Sequence, residues 1–281
     1  MQDQELSPSS SAHLPAAPPP SEHQSTAMED RVAFTGVAAV YDELMRDIPY
    51  AAWVRHIRNI WELEKINPKR ILDLACGTGN ATLLFAAMGL QVVGVDLSPH
   101  MIRRARRKTR RAGLSVRYYV QDASSLKLRE DPFDVCVSLF DSLNYLQTPE
   151  KLASAFAGVH HYLRPGGLFV FDMNAPFALE NGFFDQDNLA SKDRLRYVWR
   201  SKYDPATRLC SVEMRFFVPG KHGVDREFRE LHVQRAYTRE EVEILLQECG
   251  FSNIRCTHGY TFLPVRITTD RYLFTARKPQ V

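Results

Sequence analysis

The sequence predicts an α/β fold, a doubly wound parallel sheet with a smaller antiparallel insert. From residue 70 onward, apolar strand patterns alternate with helix patterns, which is typical of a parallel sheet covered by helices on both faces. The first strand, which starts at Ile71, leads into Gly77 and Gly79, and glycines in such a turn let a ligand lie against the main chain. The next strand ends in Asp96, where a carboxylate suits the hydroxyl groups of a ribose. A nucleotide-like ligand is therefore expected between strand ends and helix starts.

The other elements of the parallel sheet follow in order along the chain. Further strands are predicted at residues 91–96, 115–120, 133–140 and 168–171. Two helices between them begin at the dipeptides Ser98-Pro99 and Thr148-Pro149, because serine or threonine caps a helix whose first turn accepts proline. A later helix begins with a capping box at Thr238.

Residues 175–237 break the alternation of strands and helices. Apolar and polar residues alternate there with a period of two, which predicts antiparallel strands. The three predicted strands lie at residues 195–200, 210–216 and 226–237. Because the fifth strand of the main sheet ends at the edge where ligands bind in such folds, we expect this insert to cover a second ligand pocket.

The length and composition fit one domain preceded by a tail. With 281 residues and 44% hydrophobic content, the chain can bury one substantial core. Residues 1–28 are rich in proline, serine and alanine and have no periodic apolar face, so we predict that they are disordered. Met28 is an alternative translation start.

Targeting signals and cysteine usage indicate the cytoplasm. No lysine or arginine precedes Arg31 and the tail has no apolar run, which argues against a secretory signal or a transit peptide. The five cysteines form no Cys-x-x-Cys pair and leave an odd one. The sequence therefore supports neither a disulfide framework nor a zinc site, and we predict no metal.

The net charge of +3 is too small to indicate a nucleic-acid partner by itself. One predicted helix is nevertheless crowded with basic residues, while Ile102, Ala105 and Ala112 keep an apolar stripe toward the sheet. The basic residues are Arg103, Arg104, Arg106, Arg107, Lys108, Arg110 and Arg111. We interpret this surface as a solvated outer face, and contact with an acidic partner is the alternative.

Acids and glycines at successive strand ends carry a family resemblance. With Gln121-Asp122-Ala123 after the third strand, the order of motifs resembles the class I S-adenosylmethionine-dependent methyltransferases, over most of residues 71–278. The resemblance implies a Rossmann-like seven-stranded sheet and S-adenosylmethionine as the cofactor. It also implies that Gly77 and Gly79 face the methionine part, that Asp96 binds the ribose, and that Asp122 and Ala123 face the adenine.

Motifs outside the glycine turn narrow the resemblance. Four motifs are similar to those of a bacterial subgroup of methyltransferases that act on small molecules. They are Tyr41-Asp42, the stretch Phe140-Asp-Ser-Leu-Asn-Tyr145, the stretch ending in Asn174 and the stretch starting at Glu230. That subgroup includes glycine and sarcosine N-methyltransferases and aminosugar N,N-dimethyltransferases. It implies an N-terminal lid whose Tyr41 hydroxyl lies near the sulfonium or the methionine carboxylate. The further cofactor contacts that we expect are Tyr50, Trp53, Asp73, Ala75, Leu97, Met101, Phe140 and Tyr145.

Methyl transfer is an in-line displacement, so positioning and exclusion of water can supply most of the acceleration. A proton acceptor would still help. Asp141 directly follows the fourth strand and is placed for this role, although a helix cap or loop anchor is the alternative. His232 can accept a proton near neutral pH and shares a strand face with Glu230, with a structural role as the alternative. With Tyr41, these are the predicted catalytic residues, and Asn144, Asn174 and Glu230 are expected to contact the acceptor.

The sequence predicts a tail at residues 1–28 and one methyltransferase domain at 29–281. Within that domain we expect an N-terminal helical lid at residues 29–69 and a cofactor-binding core at residues 70–174. The insert follows at residues 175–237, and a last helix with strands at residues 238–281. The predicted activity is methylation of a small molecule, with nitrogen ahead of oxygen.

Three other classes of protein share parts of this pattern. A dehydrogenase should have a third glycine where this chain has Thr82. A nucleic-acid methyltransferase, which the basic helix would suit, and a non-catalytic cofactor-binding module stay as alternatives.

Overall fold

The structure, a computed structural model, describes residues 34–219 and 225–280. The predicted disordered tail, residues 1–28, lies outside the described residues. In chain order the strands are β1 (Arg70–Leu74), β2 (Gln91–Asp96), β3 (Arg117–Val120), β4 (Phe133–Ser138), β5 (Leu163–Asn174), β6 (Gln186–Asp187), β7 (Arg196–Asp204), β8 (Leu209–Pro219), β9 (Asp225–Arg235), β10 (Ser252–His258) and β11 (Arg271–Arg277). The helices are α1 (Tyr41–Leu44), α2 (Tyr50–Leu63), α3 (Asn80–Ala87), α4 (Pro99–Arg111), α5 (Pro149–Tyr162), α6 (Pro176–Glu180) and α7 (Arg239–Glu248).

The predicted seven-stranded, doubly wound sheet is confirmed. Its strand order is β10-β11-β5-β4-β1-β2-β3, in which β1 to β5 are parallel and β11 runs antiparallel to β5. The central strands are almost wholly apolar because helices cover both faces of the sheet. The first turns of α4, α5 and α7 are capped by Ser98, Thr148 and Thr238, as predicted.

The fifth strand is longer than the prediction. It begins at Leu163 and takes in the segment expected to be a turn before residue 168. The Gly166 amide donates to the carbonyl of Lys278 over 3.0 Å, and the Lys278 amide donates to Gly167 over 2.9 Å. Pairing with residues distant in sequence therefore keeps this irregular segment extended, and local turn propensity could not predict that.

The antiparallel insert is present, with four strands in the order β6-β7-β8-β9 where the sequence predicted three. The added edge strand, β6, pairs only Gln186 and Asp187 with β7, which is too short for a period-two pattern. On β9, the residues Glu230, His232 and Gln234 share one buried face, as predicted.

The basic helix α4 differs in one detail from the prediction. Ile102 and Ala105 are buried against the sheet, but Ala112 is exposed and Thr109 takes the inward position one turn earlier. Among the described residues, no helix has the length and apolar content needed to cross a membrane.

Candidate active site

A cavity of about 320 Å³ lies at the carboxyl ends of β1, β2 and β4. Parallel strands of this kind end at one edge of the sheet, which is where ligands bind in doubly wound folds. The predicted site residues on its wall are Tyr41, Ala75, Gly77, Asp96, Leu97, Met101, Asp122, Ala123, Phe140, Asp141 and Tyr145. The volume falls within the range of pockets that enclose metabolite-sized ligands.

The two glycines of the turn after β1 have different surroundings. Both have positive φ angles, 55° at Gly77 and 81° at Gly79. Gly77 lies on the cavity wall, and a Cβ atom there would project toward the Tyr41 ring, 3.9 Å away. A Cβ atom on Gly79 would instead lie 3.0 Å from the Tyr118 hydroxyl and 3.3 Å from Ala105. Gly79 therefore meets a packing requirement between the turn, β3 and α4, and its contact with the cofactor stays a prediction.

Asp96 is arranged to bind hydroxyl groups. One carboxylate oxygen accepts from the Gly77 amide and the other from the Ser98 amide, each over 2.8 Å. Burial raises the pKa of Asp96 above its ordinary value, although these two hydrogen bonds oppose the rise. Each oxygen keeps a free lone pair at the cavity wall, so the carboxylate fits a ribose diol.

A second, smaller cavity of about 30 Å³ adjoins the same turn. Tyr41, Tyr50, Asp73 and Gly77 lie on its wall. Burial raises the pKa of Asp73 to about 7, against the hydrogen bond that it accepts from Thr82. The compartment is small and polar, which suits the charged end of an amino acid rather than an aromatic base.

Trp53 lies behind these walls and lines neither cavity, so its contact with the cofactor stays a prediction. Its ring stacks on Tyr260 with a centroid separation of 4.4 Å and an interplanar angle of 2°. It also packs against the rings of Tyr50 and Phe140, which do line the cavities. Trp53 therefore supports the aromatic wall from the outside.

The segment before α2, residues 34–49, covers the cavity and is called the covering segment. Helix α4 holds this segment in place. Phe34 and Tyr41 lie on the cavity wall. The Asp42 carboxylate accepts from the Thr78 hydroxyl over 2.6 Å and forms an ion pair with Lys108 at 2.8 Å. Lys108, which the sequence placed on a solvated face, thus joins the covering segment to the glycine-rich turn.

Asp141 belongs to a buried charge cluster at the ends of β4 and β5. Its carboxylate forms an ion pair with Arg271 at 2.9 Å and accepts from Gln234 over 2.7 Å. Arg271 also contacts Asp172, whose carboxylate accepts from the Tyr260 hydroxyl over 2.9 Å. Burial raises the pKa of Asp172, against the opposing charge of Arg271. Two carboxylates share one guanidinium, so the cluster carries one net negative charge when all three groups are ionised.

His232 has both ring nitrogens engaged. Its Nδ1 atom lies 2.8 Å from the Tyr145 hydroxyl and its Nε2 atom lies 3.0 Å from a Glu230 carboxylate oxygen. Tyr145 lies on the cavity wall, whereas His232 and Glu230 are buried behind it. The side chain of Tyr145 therefore lies between His232 and the cavity, and the catalytic role of His232 stays a prediction.

The three residues predicted to contact the acceptor form hydrogen bonds within the protein, and their contact with the acceptor stays a prediction. Asn144 donates to the carbonyls of Asn174 and Arg235, and the Asn174 amide side chain donates to Gln234 over 2.9 Å. Glu230 accepts from the backbone amides of the covering segment. These side chains join elements to one another, because buried amides and carboxylates must find partners.

Several residues at the site were not predicted from the sequence. Phe34, Ser142, Gln147 and Lys151 lie on the cavity wall, and Arg271 pairs with Asp141. Only the position of Asp172, at the end of the fifth strand, offered a signal comparable to that of Asp96. Arg271 lies on an antiparallel strand near the carboxyl terminus of the chain, where local sequence carries no such signal.

Fold and cavity together define a class, the doubly wound α/β proteins that bind a nucleotide-like ligand at the glycine turn after β1. Comparison with known proteins gives the family. A family model described as "Methyltransferase domain" matches residues 71–167. A putative methyltransferase, YqeM, from Bacillus subtilis (strain 168) is 34% identical over 245 residues, which cover 87% of this chain and 97% of that protein.

Two further relatives agree. A crystal structure of an S-adenosylmethionine-dependent methyltransferase from Clostridium acetobutylicum ATCC 824 superposes with a TM-score of 0.78 at 30% identity, covering 88% of this chain and all of that one. A dTDP-3-amino-3,4,6-trideoxy-alpha-D-glucopyranose N,N-dimethyltransferase from Streptomyces venezuelae is 30% identical over 220 residues, 76% of this chain and 89% of that protein. The chain therefore belongs to the S-adenosylmethionine-dependent methyltransferase family, and S-adenosylmethionine is its methyl donor.

Proposed function

We propose that this methyltransferase transfers a methyl group to a nitrogen atom of a small-molecule amine. The observation that carries the proposal is the buried Asp141 carboxylate on the wall of the cavity. With Asp172 and Arg271 it forms a cluster whose net charge is negative when all three groups are ionised. Amines are protonated near neutral pH, so such a cluster attracts them and repels carboxylate acceptors.

The donor would occupy the cavity from Asp122 to Phe140. In this proposal Asp96 binds the ribose hydroxyls, Asp122 and Ala123 border the adenine, and the small cavity beside Gly77 receives the amino-acid end. When bound, S-adenosylmethionine supplies a methyl group whose carbon–sulfur bond breaks toward sulfur as the acceptor lone pair forms the new bond. The fit rests on the lone pairs of Asp96 and on the room that the missing Cβ of Gly77 leaves.

The chain contributes orientation and exclusion of water. The covering segment of Phe34 and Tyr41 closes over the donor, and the aromatic wall at Phe140 faces the same space. Well-oriented reactants can gain on the order of 7 to 11 kcal/mol from such positioning. Asp141 would hold the protonated acceptor nitrogen, which must lose a proton before it attacks the methyl group.

The enclosure supports a small acceptor rather than a nucleic acid. Two basic residues of α4 are used internally, since Lys108 pairs with Asp42 and Arg104 contacts the carbonyl of Ala39. The similarity to an aminosugar N,N-dimethyltransferase supports an amine as the acceptor.

A transfer assay tests the proposal. The protein is incubated with S-adenosylmethionine labelled at the methyl group and with separate pools of amines, aminosugars, hydroxyaromatic compounds and bulk RNA. We expect label in an amine pool. Label only in RNA or only in hydroxyaromatics would contradict the proposal, and no transfer to any pool would favour a non-catalytic module.

A variant tests the assigned residue. Asp141→Asn should lower kcat by roughly 10² to 10⁴ while the affinity for S-adenosylhomocysteine stays intact. Asp187→Asn, which removes an exposed carboxylate paired with Arg200, is the matched control and should keep its kcat. Unchanged turnover in Asp141→Asn would contradict the role of this carboxylate.

A further inference from the structure

Three side chains form a continuous chain of hydrogen bonds from the cavity to the covering segment. The Tyr145 hydroxyl contacts His232, and His232 contacts Glu230, with separations of 2.8 and 3.0 Å. The Glu230 carboxylate also accepts from the backbone amides of Phe34, Gly36 and Val37, over 3.0, 2.5 and 2.8 Å. One carboxylate therefore serves both the histidine and the covering segment.

The charge of Glu230 decides which atoms donate and which accept in this series of hydrogen bonds. Burial would raise the pKa of Glu230, but the hydrogen bonds from His232 and from the Val37 and Phe34 amides outweigh it and hold the pKa below its ordinary value. An ionised carboxylate only accepts, so Nε2 of His232 carries the proton. In neutral His232 the Nδ1 atom is then an acceptor, and the Tyr145 hydroxyl donates to it.

From this geometry we infer that Tyr145 is a catalytic residue of the proposed reaction and removes the acceptor's proton, with His232 and Glu230 as positioning residues behind it. The inference rests on the proposed function. Tyr145 lies on the cavity wall with its hydroxyl hydrogen directed at His232, and its oxygen also interacts with the Gln234 side chain, so one lone pair remains to accept a proton.

The proton step balances within these groups. The protonated acceptor nitrogen gives one proton to the Tyr145 oxygen, and the lone pair freed in this way then forms the bond to the methyl carbon. The original Tyr145 proton passes to Nδ1 of His232, so that tyrosine is regenerated and the imidazole becomes an imidazolium beside the Glu230 carboxylate. Burial raises the pKa of Tyr145 far above its ordinary value, which favours this exchange of protons over a free phenolate.

The same arrangement couples the proton path to closure of the cavity. The ring of Phe34 packs edge-on against His232 with centroids 4.8 Å apart and lies 5.2 Å from the Tyr145 ring. Release of the covering segment would remove three hydrogen bonds from Glu230 and expose His232 to water. The path of protons from Tyr145 through His232 to Glu230, which we call the relay, is thus complete only when residues 34–37 are docked.

The tautomer of His232 can be measured without any acceptor. Nitrogen NMR of the full chain labelled at histidine, saturated with S-adenosylhomocysteine, should report the Nε2-protonated tautomer, with the His232 signals assigned by their loss in His232→Gln. In Tyr145→Phe the tautomer should persist while the Nδ1 resonance shifts, because its hydrogen-bond donor is gone. An Nδ1-protonated His232 in the wild type would overturn the inference.

Turnover and amide exchange complete the test. With the compound that is methylated in the pools, Tyr145→Phe should lower kcat about 10²-fold with unchanged affinity for S-adenosylhomocysteine. The control Tyr119→Phe removes a hydroxyl that donates to Glu130 and should keep its kcat. Glu230→Gln should speed hydrogen exchange at Gly36 and Val37, and Tyr145→Phe should not.

Two results would overturn the relay, a wild-type kcat in Tyr145→Phe or unchanged exchange in Glu230→Gln. If no compound is methylated, the proposed function fails while the tautomer and exchange measurements still decide the hydrogen-bond roles. Methylation of an amine together with an Nδ1-protonated His232 would instead retain the function and reject the relay.

Discussion

Arg271 pairs with Asp141 across the carboxyl ends of the central strands, with 2.9 Å between its Nη1 atom and the Asp141 carboxylate. The same guanidinium contacts Asp172, which is fully buried. A positive charge that serves two carboxylates offsets part of the energetic cost of burying them. The pair therefore links the stability of this sheet edge to the charge of the cavity.

Removing this guanidinium should be strongly destabilising. In Arg271→Met, two buried carboxylates lose their counter-ion, and breaking a buried pair costs about 3 to 5 kcal/mol in free energy of unfolding. Arg255→Met is the matched control, because Arg255 is 67% exposed and its ion pair with Glu64 should contribute less than about 1 kcal/mol. Urea unfolding measures both variants, and equal losses would contradict the buried-pair interpretation.

The ion pair between Asp42 and Lys108 should hold the covering segment closed over the donor. Lys108→Met is expected to weaken binding of S-adenosylhomocysteine by a few-fold, about 0.2 to 1 kcal/mol, since both partners are partly exposed. Arg107→Met, an exposed residue of the same helix, is the control. Calorimetry gives both affinities. If the two variants weaken binding equally, general charge on α4 and not the ion pair is responsible.

The two glycines of the turn should respond differently to a methyl group. Gly77→Ala places a Cβ on the cavity wall and should reduce the affinity for S-adenosylhomocysteine more than it reduces Tm. Gly79→Ala forces a Cβ against the Tyr118 hydroxyl and Ala105 and should mainly lower Tm. Both positions have positive φ, so each variant controls for backbone strain in the other. The reverse pattern would contradict the assigned surroundings.

Asp96 should account for part of the donor affinity. Asp96→Ala removes the acceptor for ribose hydroxyls and should weaken binding of S-adenosylhomocysteine by about 1 to 3 kcal/mol. Asp187→Asn serves again as a surface control. Because Asp96 also accepts from the Gly77 and Ser98 amides, Tm is measured in parallel to show that the fold is retained. An unchanged affinity would remove Asp96 from the donor site.

Asp73 should make the free protein less stable as the pH rises. Burial raises the pKa of Asp73 to about 7, well above its ordinary value, so the native state keeps a proton that the unfolded state releases. Stability contributed by this group is therefore lost between about pH 4 and pH 7 and is constant above that window. In Asp73→Asn this slope should be absent, and the Tm of the variant relative to wild type should increase from pH 5 to pH 7. A constant difference would show that Asp73 ionises normally.

The sequence predicted the parts of the site that local backbone structure dictates. Gly77 and Asp96 follow apolar strands, and parallel strands end at one edge of a sheet, so their proximity could be inferred from order alone. The caps at Ser98 and Thr148 were predictable because a helix start needs a side-chain acceptor within a few residues.

Contacts between distant segments could only be known from the tertiary structure. Arg271 reaches Asp141 because β11 pairs antiparallel with β5, and Glu230 reaches residues 34–37 because β9 lies beneath the covering segment. Neither relationship leaves a periodic pattern in the chain, since register between separate strands is set by packing and not by local propensity. The sequence by itself determined the glycine turn and the family, whereas the charge cluster around Asp141 and the partners of His232 were decided only when the chain folded.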